Sequence, residues 1–588
     1  MLSRPTRHIR SIDGLRAIAV IAVLLYHLGF SWIPGGFLGV DLFFVISGYV
    51  ITRLLLDNIE TSNGLDLRGF YAGRARRLLP GLLFLIATST ILIAFFAPDA
   101  IARFLQDIPF TITGMNNWRL VALHQDYFQT VGRPPLLQHT WSLAVESQYY
   151  LLWPLVLVVI WKYFGKRVVA RVALFIGLSS GLALFLNSIR IDSAVAMQIS
   201  HIYFGTDTHS IGLFLGSSLA VFWIPQNLKS EISDRAQDFV DGIGVIGFFG
   251  LLTSFFFISE SNATLYRIAF PLAALCGCAT LTSLVHPASR FAPLMRSRTL
   301  TWIGERSYGI YLWHWVIFQI TRPSADIAGA PWALDIARVL LVLAMADISL
   351  RYVEIPVRSG AVARWFRGMK YRSKDSQIQE KRAILLAIVM VVAGTSSASA
   401  AAIYESHHDS KALHQAMSLV TAPATNSSIQ SQGLWVTGDS IILGVKDKLA
   451  AKFPIALVNA RVGRQIQELT DVVRADQPQV PHATVVLDLG NNNHLTQDSV
   501  VTLLDLLRNQ PKIILVNTAV PRVWKADNNR IIREVASRYP QVTLVDWAAI
   551  STNHPEFFTP DGVHLVSLGG DVYTAAIVDA LNGKSPTP

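Results

Sequence analysis

Apolar runs long enough to cross a bilayer recur from the start of the chain to about residue 403, separated by loops rich in arginine and lysine. Eleven of them read as spans: roughly 12–30, 36–56, 78–97, 141–161, 169–188, 209–225, 238–258, 266–286, 301–320, 333–352 and 383–403. The basic loops set a direction. Arg4, Arg7 and Arg10 precede the first run, and Arg68, Arg74, Arg76 and Arg77 precede the third. Lys162, Lys166, Arg167 and Arg171 follow the fourth, Arg290, Arg296 and Arg298 follow the eighth, and eight basic residues lie from Arg358 to Arg382 after the tenth. All fall on one side if the N-terminus is cytoplasmic. With an odd number of spans, the tail then lies outside the cell membrane.

After residue 403 the pattern changes. Glu405 to Gln432 is polar and rich in Ser, Thr and Ala, as a linker would be. Beyond it, short apolar runs alternate with helical periodicity. Leu434–Thr437, Ala456–Asn459, Thr484–Leu489, Ile513–Asn517 and Thr543–Asp546 read as strands, which predicts an α/β fold with a mainly parallel sheet. The expected organisation is a membrane domain of ten spans over 1–375, an eleventh span within 376–403, a linker over 404–432 and a folded domain over 433–588.

Composition supports this division. Of 588 residues 52% are hydrophobic and only 15% charged, and mean hydropathy is +0.40. From Tyr404 onward there are 15 Lys and Arg against 17 Asp and Glu, so the net +10 of the chain sits wholly in the membrane part. Topology accounts for that charge without nucleic acid. The two cysteines, Cys276 and Cys278, lie in an apolar run, so the tail needs no disulfide. No cleavable signal peptide is expected, because the first apolar run carries internal charge and lacks a small-residue cleavage site.

Two ionisable residues interrupt the first span. Arg16 and His27 are eleven residues apart, which puts them on one helix face about 16 Å apart along the axis. Alone, Arg16 fits a side chain snorkelling to headgroups, and His27 fits a helix cap or a bonded neighbour. Together, with Asp13, Asp41 and Glu146 in or beside the spans, they point to a buried site.

The surrounding residues are similar to the acyltransferase-3 membrane family. The resemblance rests on Ser11 to Val20 with His27, Gly39 to Tyr49, Arg74 to Pro80, Trp141 to Glu146, Ser307-Tyr308 with Tyr311 to His314, and Tyr352 to Glu354. These blocks run in order from residue 11 to about 358. The resemblance implies transfer of an acyl group, commonly acetyl from cytoplasmic acetyl-CoA, onto extracytoplasmic glycans. It implies that His27 acts as acid/base or acyl relay and that Arg16 holds the donor or a partner acid. Two positions depart from the family pattern: Ser147 stands where a second acid is common, and His209 where arginine is. Arg74, Arg76 and Arg77 fit either a topology signal or CoA phosphate binding, for which arginine forks are suited. Trp313 and His314 fit interfacial anchors as well as site residues.

The tail carries a second constellation. Ser440 follows the first predicted strand and opens a helix, whose unpaired N–H groups can meet a developing anion. A nucleophilic serine needs a base and the base an orienting acid, and His564 and Asp561 supply both from one loop. Gly463 and Asn492 complete a candidate oxyanion hole with the Ser440 N–H. The ordered set Ser440, Gly463, Gly490-x-Asn492 and Asp561-x-x-His564 resembles the SGNH hydrolase family across 433 to about 582. That resemblance implies Ser440 as nucleophile, His564 as base and Asp561 as its orienter. His554 and Asp439 read as structural, and which asparagine of Asn491 to Asn493 points inward stays open.

The expected architecture is therefore a multi-span α-helical membrane domain plus an extracytoplasmic α/β three-layer SGNH-like domain with a mainly parallel sheet. The fusion resembles peptidoglycan O-acetyltransferases and, more distantly, O-antigen acetyltransferases. Expected partners are acetyl-CoA as acyl donor, a cell-envelope glycan acceptor and the lipid bilayer, with no nucleic acid. No metal is expected, since His407, His408 and Asp409 lie in the linker. An extracytoplasmic acetylesterase and a glycan transporter with a proton relay at Arg16 and His27 are the other classes the residues allow.

Overall fold

The computed structural model describes residues 9–30, 32–62, 66–123, 133–189, 196–258, 265–322, 331–369, 371–379, 381–382, 433–460, 464, 466–492, 495–520, 524–558 and 562–584. The chain divides into a helical unit reaching Tyr404 and a C-terminal unit beginning at Glu405. The eleventh expected span and the linker lie outside the described residues.

A helix occupies each of the first ten expected spans: Arg10–His27, Gly39–Ser62, Leu67–Phe96, Trp141–Phe164, Lys166–Ile189, Ile211–Phe222, Asp234–Phe257, Phe270–Val285, Arg298–Ile320 and Pro331–Ile348. Among the described residues, six stretches are long and apolar enough to cross a membrane unaided. The others are short or interrupted by charge. Ile211–Phe222 has twelve residues, about 18 Å against a hydrocarbon core of about 30 Å. The apolar pattern there runs on to residue 225, but Pro225 disfavours helix in the residue before it, and Trp223 and Ile224 are not helical.

Small residues let these helices touch backbone to backbone. A Cβ on Gly304 would lie 1.9 Å from the Asp13 carbonyl oxygen, which joins Arg298–Ile320 to the first helix. A Cβ on Gly48 would lie 1.9 Å from the Leu213 carbonyl oxygen, joining Gly39–Ser62 to Ile211–Phe222. A buried polar strut reinforces the second pair: Asp41 Oδ1 is 3.0 Å from His209 Nε2, and His209 Nδ1 is 2.7 Å from the Tyr203 carbonyl. His209 thus fills its departure from the family pattern with a partner for Asp41.

The C-terminal unit is a five-stranded sheet of β1 (Leu434–Gly438), β2 (Ile455–Ala460), β3 (Thr484–Asp488), β4 (Ile513–Val516) and β5 (Val542–Val545). The order is β2-β1-β3-β4-β5 and every pair is parallel. Alternate strand residues feed two cores. Trp435, Val485, Leu487, Ile513 and Leu515 pack with Ile466, Leu469, Val500, Leu503, Ile532 and Val535 from the helices on one face. Leu434, Val436, Val486, Ile514 and Val516 pack with Ile442, Val445, Tyr573 and Ile577 on the other. This is the three-layer α/β arrangement expected, with both sheet faces covered as a parallel sheet requires. The C-terminal ends of β1 and β3 carry Asp439-Ser440 and Gly490 to Asn492 to the same edge, where open parallel sheets place their ligands.

Candidate active sites in the two units

In the helical unit, Arg16, Arg74, Arg77 and Glu146 line one cavity of about 830 Å³ counting its open mouth, together with Ser47, Tyr150 and Tyr308. Glu146 is buried and held by two hydroxyls: Ser47 Oγ donates to Oε1 at 2.7 Å and Tyr150 OH to Oε2 at 2.9 Å. Tyr150 follows Glu146 by one turn, a pairing legible in sequence. Ser47 comes from another helix and was not. Arg76 is exposed and does not line the cavity. On a helix, residues 74 and 77 share a face and residue 76 turns away from it.

His27 is not among the residues lining that cavity. It lies at the other end of the first helix, in a cluster with His314 and His139. His27 Nδ1 is 3.1 Å from His314 Nε2, and His314 Nδ1 is 2.6 Å from the Tyr311 carbonyl. The His139 and His314 ring centroids are 5.8 Å apart. The structure thus gives Arg16 and His27 separate surroundings rather than one pocket. Tyr311 connects them: it lines the Arg16 cavity, and its carbonyl accepts from His314. Trp313 and His314 are fully buried, which removes the reading of them as interfacial anchors.

In the C-terminal unit, the helix Ser440–Ala450 begins directly after β1. Asp439 caps it, Oδ1 accepting from Ile441 N at 2.9 Å. Ser440 Oγ and His564 Nε2 are 3.0 Å apart, the contact a base needs to take the serine proton. Asp561 and Gly463 lie outside the described residues. His554 is exposed, bonded to Glu556 at 2.8 Å and stacked on Phe557.

The two asparagines after Gly490 turn inward. Gly490 has φ of +98°, a conformation that strains any residue with a Cβ. Asn491 Nδ2 donates to Asp439 Oδ2 at 3.0 Å and to Asp488 Oδ1 at 2.9 Å. Asn492 Nδ2 donates to Asp439 Oδ2 at 2.6 Å and to the Arg464 carbonyl at 3.1 Å. Both amide hydrogens of Asn492 are therefore engaged, rather than one standing ready for an oxyanion. The Arg464 guanidinium reaches the carbonyls of Gly438 and Asn459 and so braces the end of β1.

Behind Ser440 lies a buried acid pair that the sequence did not reveal. Asp439 and Asp488 share Asn491, and Tyr573 OH donates to Asp488 Oδ2 at 2.8 Å. Burial, and after it the charge of Asp439, pushes the Asp488 carboxyl well above the usual carboxylate range. Burial also raises that of Asp439, opposed by the Ile441 N–H.

A many-helix membrane unit with a buried arginine and glutamate cavity, joined to an α/β domain presenting a serine–histidine pair, defines a membrane-bound acyltransferase. The chain belongs to the acyltransferase domain family, acyltransferase-3, which matches residues 9–349. It is similar to the peptidoglycan O-acetyltransferase OatA of Listeria monocytogenes serovar 1/2a, with 32% identity over 630 residues, covering 99% of this chain and 100% of that protein. It is also similar to the O-acetyltransferase OatA of Staphylococcus aureus strain MRSA252, with 33% identity over 589 residues, covering 98% and 96%. Among solved structures, the C-terminal catalytic domain of Streptococcus pneumoniae peptidoglycan O-acetyltransferase A matches with 25% identity and a TM-score of 0.24, covering 26% of this chain and 98% of that chain.

Proposed function

We propose that this chain moves acetyl from cytoplasmic acetyl-CoA across the membrane and onto a hydroxyl of a cell-envelope glycan, peptidoglycan foremost. Similarity to a peptidoglycan O-acetyltransferase along the whole of both chains carries this reading. The basic loops support a cytoplasmic N-terminus and an extracytoplasmic C-terminal domain. Arg16, Arg74 and Arg77 beside Glu146 form a donor set suited to the phosphates of CoA. Arg76, exposed and outside the cavity, is not part of that set. Acetyl-CoA supplies an activated thioester, and His27 acts as acid/base or relay for the acyl group within the membrane.

In the C-terminal domain, His564 Nε2 takes the proton of Ser440 as Oγ attacks the acetyl carbonyl, and then hands that proton to the departing donor group, leaving an acetyl-serine and a neutral His564. His564 then accepts the proton of a glycan hydroxyl, whose oxygen attacks the acetyl-serine. The proton returns to Ser440 as the ester passes to the sugar. Asp561 orients His564, and the Ser440 N–H and Gly463 receive the oxyanion. Asn492 joins them by moving one Nδ2 hydrogen off Asp439 or Arg464.

Replacing Ser440 with Ala should abolish acetylation of glycan by membranes supplied with acetyl-CoA. Unchanged acetylation would remove Ser440 from the reaction. Release of acetate at a rate indifferent to muropeptide acceptors would make the domain an esterase.

A further inference from the structure

The histidine cluster at the far end of the first helix fixes which nitrogen of His27 is reactive. A carbonyl oxygen only accepts hydrogen bonds, so His314 Nδ1, 2.6 Å from the Tyr311 carbonyl, carries a proton. The Nε2 of a neutral His314 then presents a lone pair. His27 Nδ1 stands 3.1 Å from it. Two lone pairs do not face each other at that distance, so His27 Nδ1 is protonated and donates.

The neighbours that could compete for His314 Nε2 are engaged elsewhere. The His139 Nε2 proton goes to the Leu312 carbonyl at 3.1 Å, and the Trp315 indole N–H to the Pro135 carbonyl at 3.0 Å. The Tyr311 hydroxyl is bonded to the His139 carbonyl at 2.8 Å and to Ser142 Oγ at 2.7 Å. His314 is fully buried on a helix clamped to the first one at Gly304, so it has little freedom to move away.

We propose that His314 is a positioning residue for His27: through Nε2 it holds His27 as the Nδ1–H tautomer, so that Nε2 is the nitrogen that meets the acyl group. This rests on the proposed role of His27. The arrangement is a chain of one carbonyl and two imidazoles, in which the backbone of one helix sets the chemistry of a side chain on another. It resembles in logic the orienting acid behind a catalytic histidine, with a neutral ring in place of the carboxylate.

Substitutions at 314 separate positioning from proton uptake. A glutamine keeps an acceptor for the His27 Nδ1 proton but takes up no proton itself; a leucine offers neither. Full-length His27→Ala, His314→Gln and His314→Leu chains are compared in membranes supplied with acetyl-CoA and muropeptide. Ser440-dependent cleavage of an ester substrate by each preparation checks that the chain is intact. Positioning predicts no acetylation with His27→Ala, a loss of about 100-fold with His314→Leu, and recovery to within about 10-fold of the parent with His314→Gln. Equal activity of parent and leucine variants overturns the proposal, as does a glutamine variant as inactive as the leucine one. An active His27→Ala chain instead overturns the role of His27. Should the leucine chain misfold, nitrogen-15 spectra of histidine-labelled parent protein decide, with His27→Ala assigning the signals. A proton on Nδ1 of His27 supports the proposal, and a proton on Nε2 alone refutes it.

Discussion

Arg74, Arg76 and Arg77 stand within four residues of one another and have different fates, because a helix turns about 100° per residue. Two reach the cavity of Glu146 and one faces outward. Replacing Arg77 with Ala should raise the acetyl-CoA concentration for half-maximal rate about 10-fold or more, the worth of a lost charge-assisted bond. Arg76→Ala should shift it less than about 2-fold. Equal effects would place both on the same ligand or neither. At Ser440, replacement of His564 with Gln should slow acetyl transfer at least about 100-fold with protein yield unchanged, as expected for loss of a general base. The acid pair behind the serine gives a pH effect. A carboxyl whose pKa is raised by folding binds its proton more tightly folded than unfolded, so stability falls as pH climbs above the ordinary carboxylate range. Asp488→Asn removes that ionisation. Amide exchange in Ser440–Ala450 should therefore quicken more between about pH 5 and pH 8 in the parent than in the variant, after correction for intrinsic rates. The same pH dependence in both would mean that Asp488 is not protonated in the folded chain. Ser440, His564 and the arginines were legible because they lie in short ordered blocks. Ser47 with Glu146, His314 with His27 and Tyr573 with Asp488 were not, since each pair meets across 85 or more residues of chain.

Strands and spans were readable to different degrees for one physical reason. A strand buried on both faces is a short, nearly unbroken apolar run, and all five strands fall within a residue or two of the ends read from sequence. Hydropathy gives the place of a membrane helix but not its length. At Ile211–Phe222 the run outlasts the helix, and the structure compensates with close packing. Gly48 lies under the Leu213 carbonyl, and a Cβ on Gly216 would lie 2.2 Å from that of Val45. Replacing Gly48 with Val has no room to relax, because the obstacle is backbone. It should destabilise the helical unit by at least about 1–3 kcal/mol, the range for overpacking. The check is a lower midpoint for loss of the monodisperse full-length peak on heating in detergent. An unchanged midpoint would mean that the two helices separate more readily than their contact suggests.

Across the whole molecule, chemistry is divided between a helical unit that gathers cationic side chains around a buried acid and an α/β domain that presents a serine to its base. The first helix serves two places at once, with Arg16 in the cavity and His27 in the histidine cluster. That makes the eleven residues between them a matter of phase more than of length. One extra residue after Val20 would lengthen the rod by only about 1.5 Å yet swing one end about 100° against the other. Either Arg16 or His27 would then leave its neighbours, however conservative the inserted residue. The helix behaves as a crankshaft, whose two throws work only while their angular offset is kept.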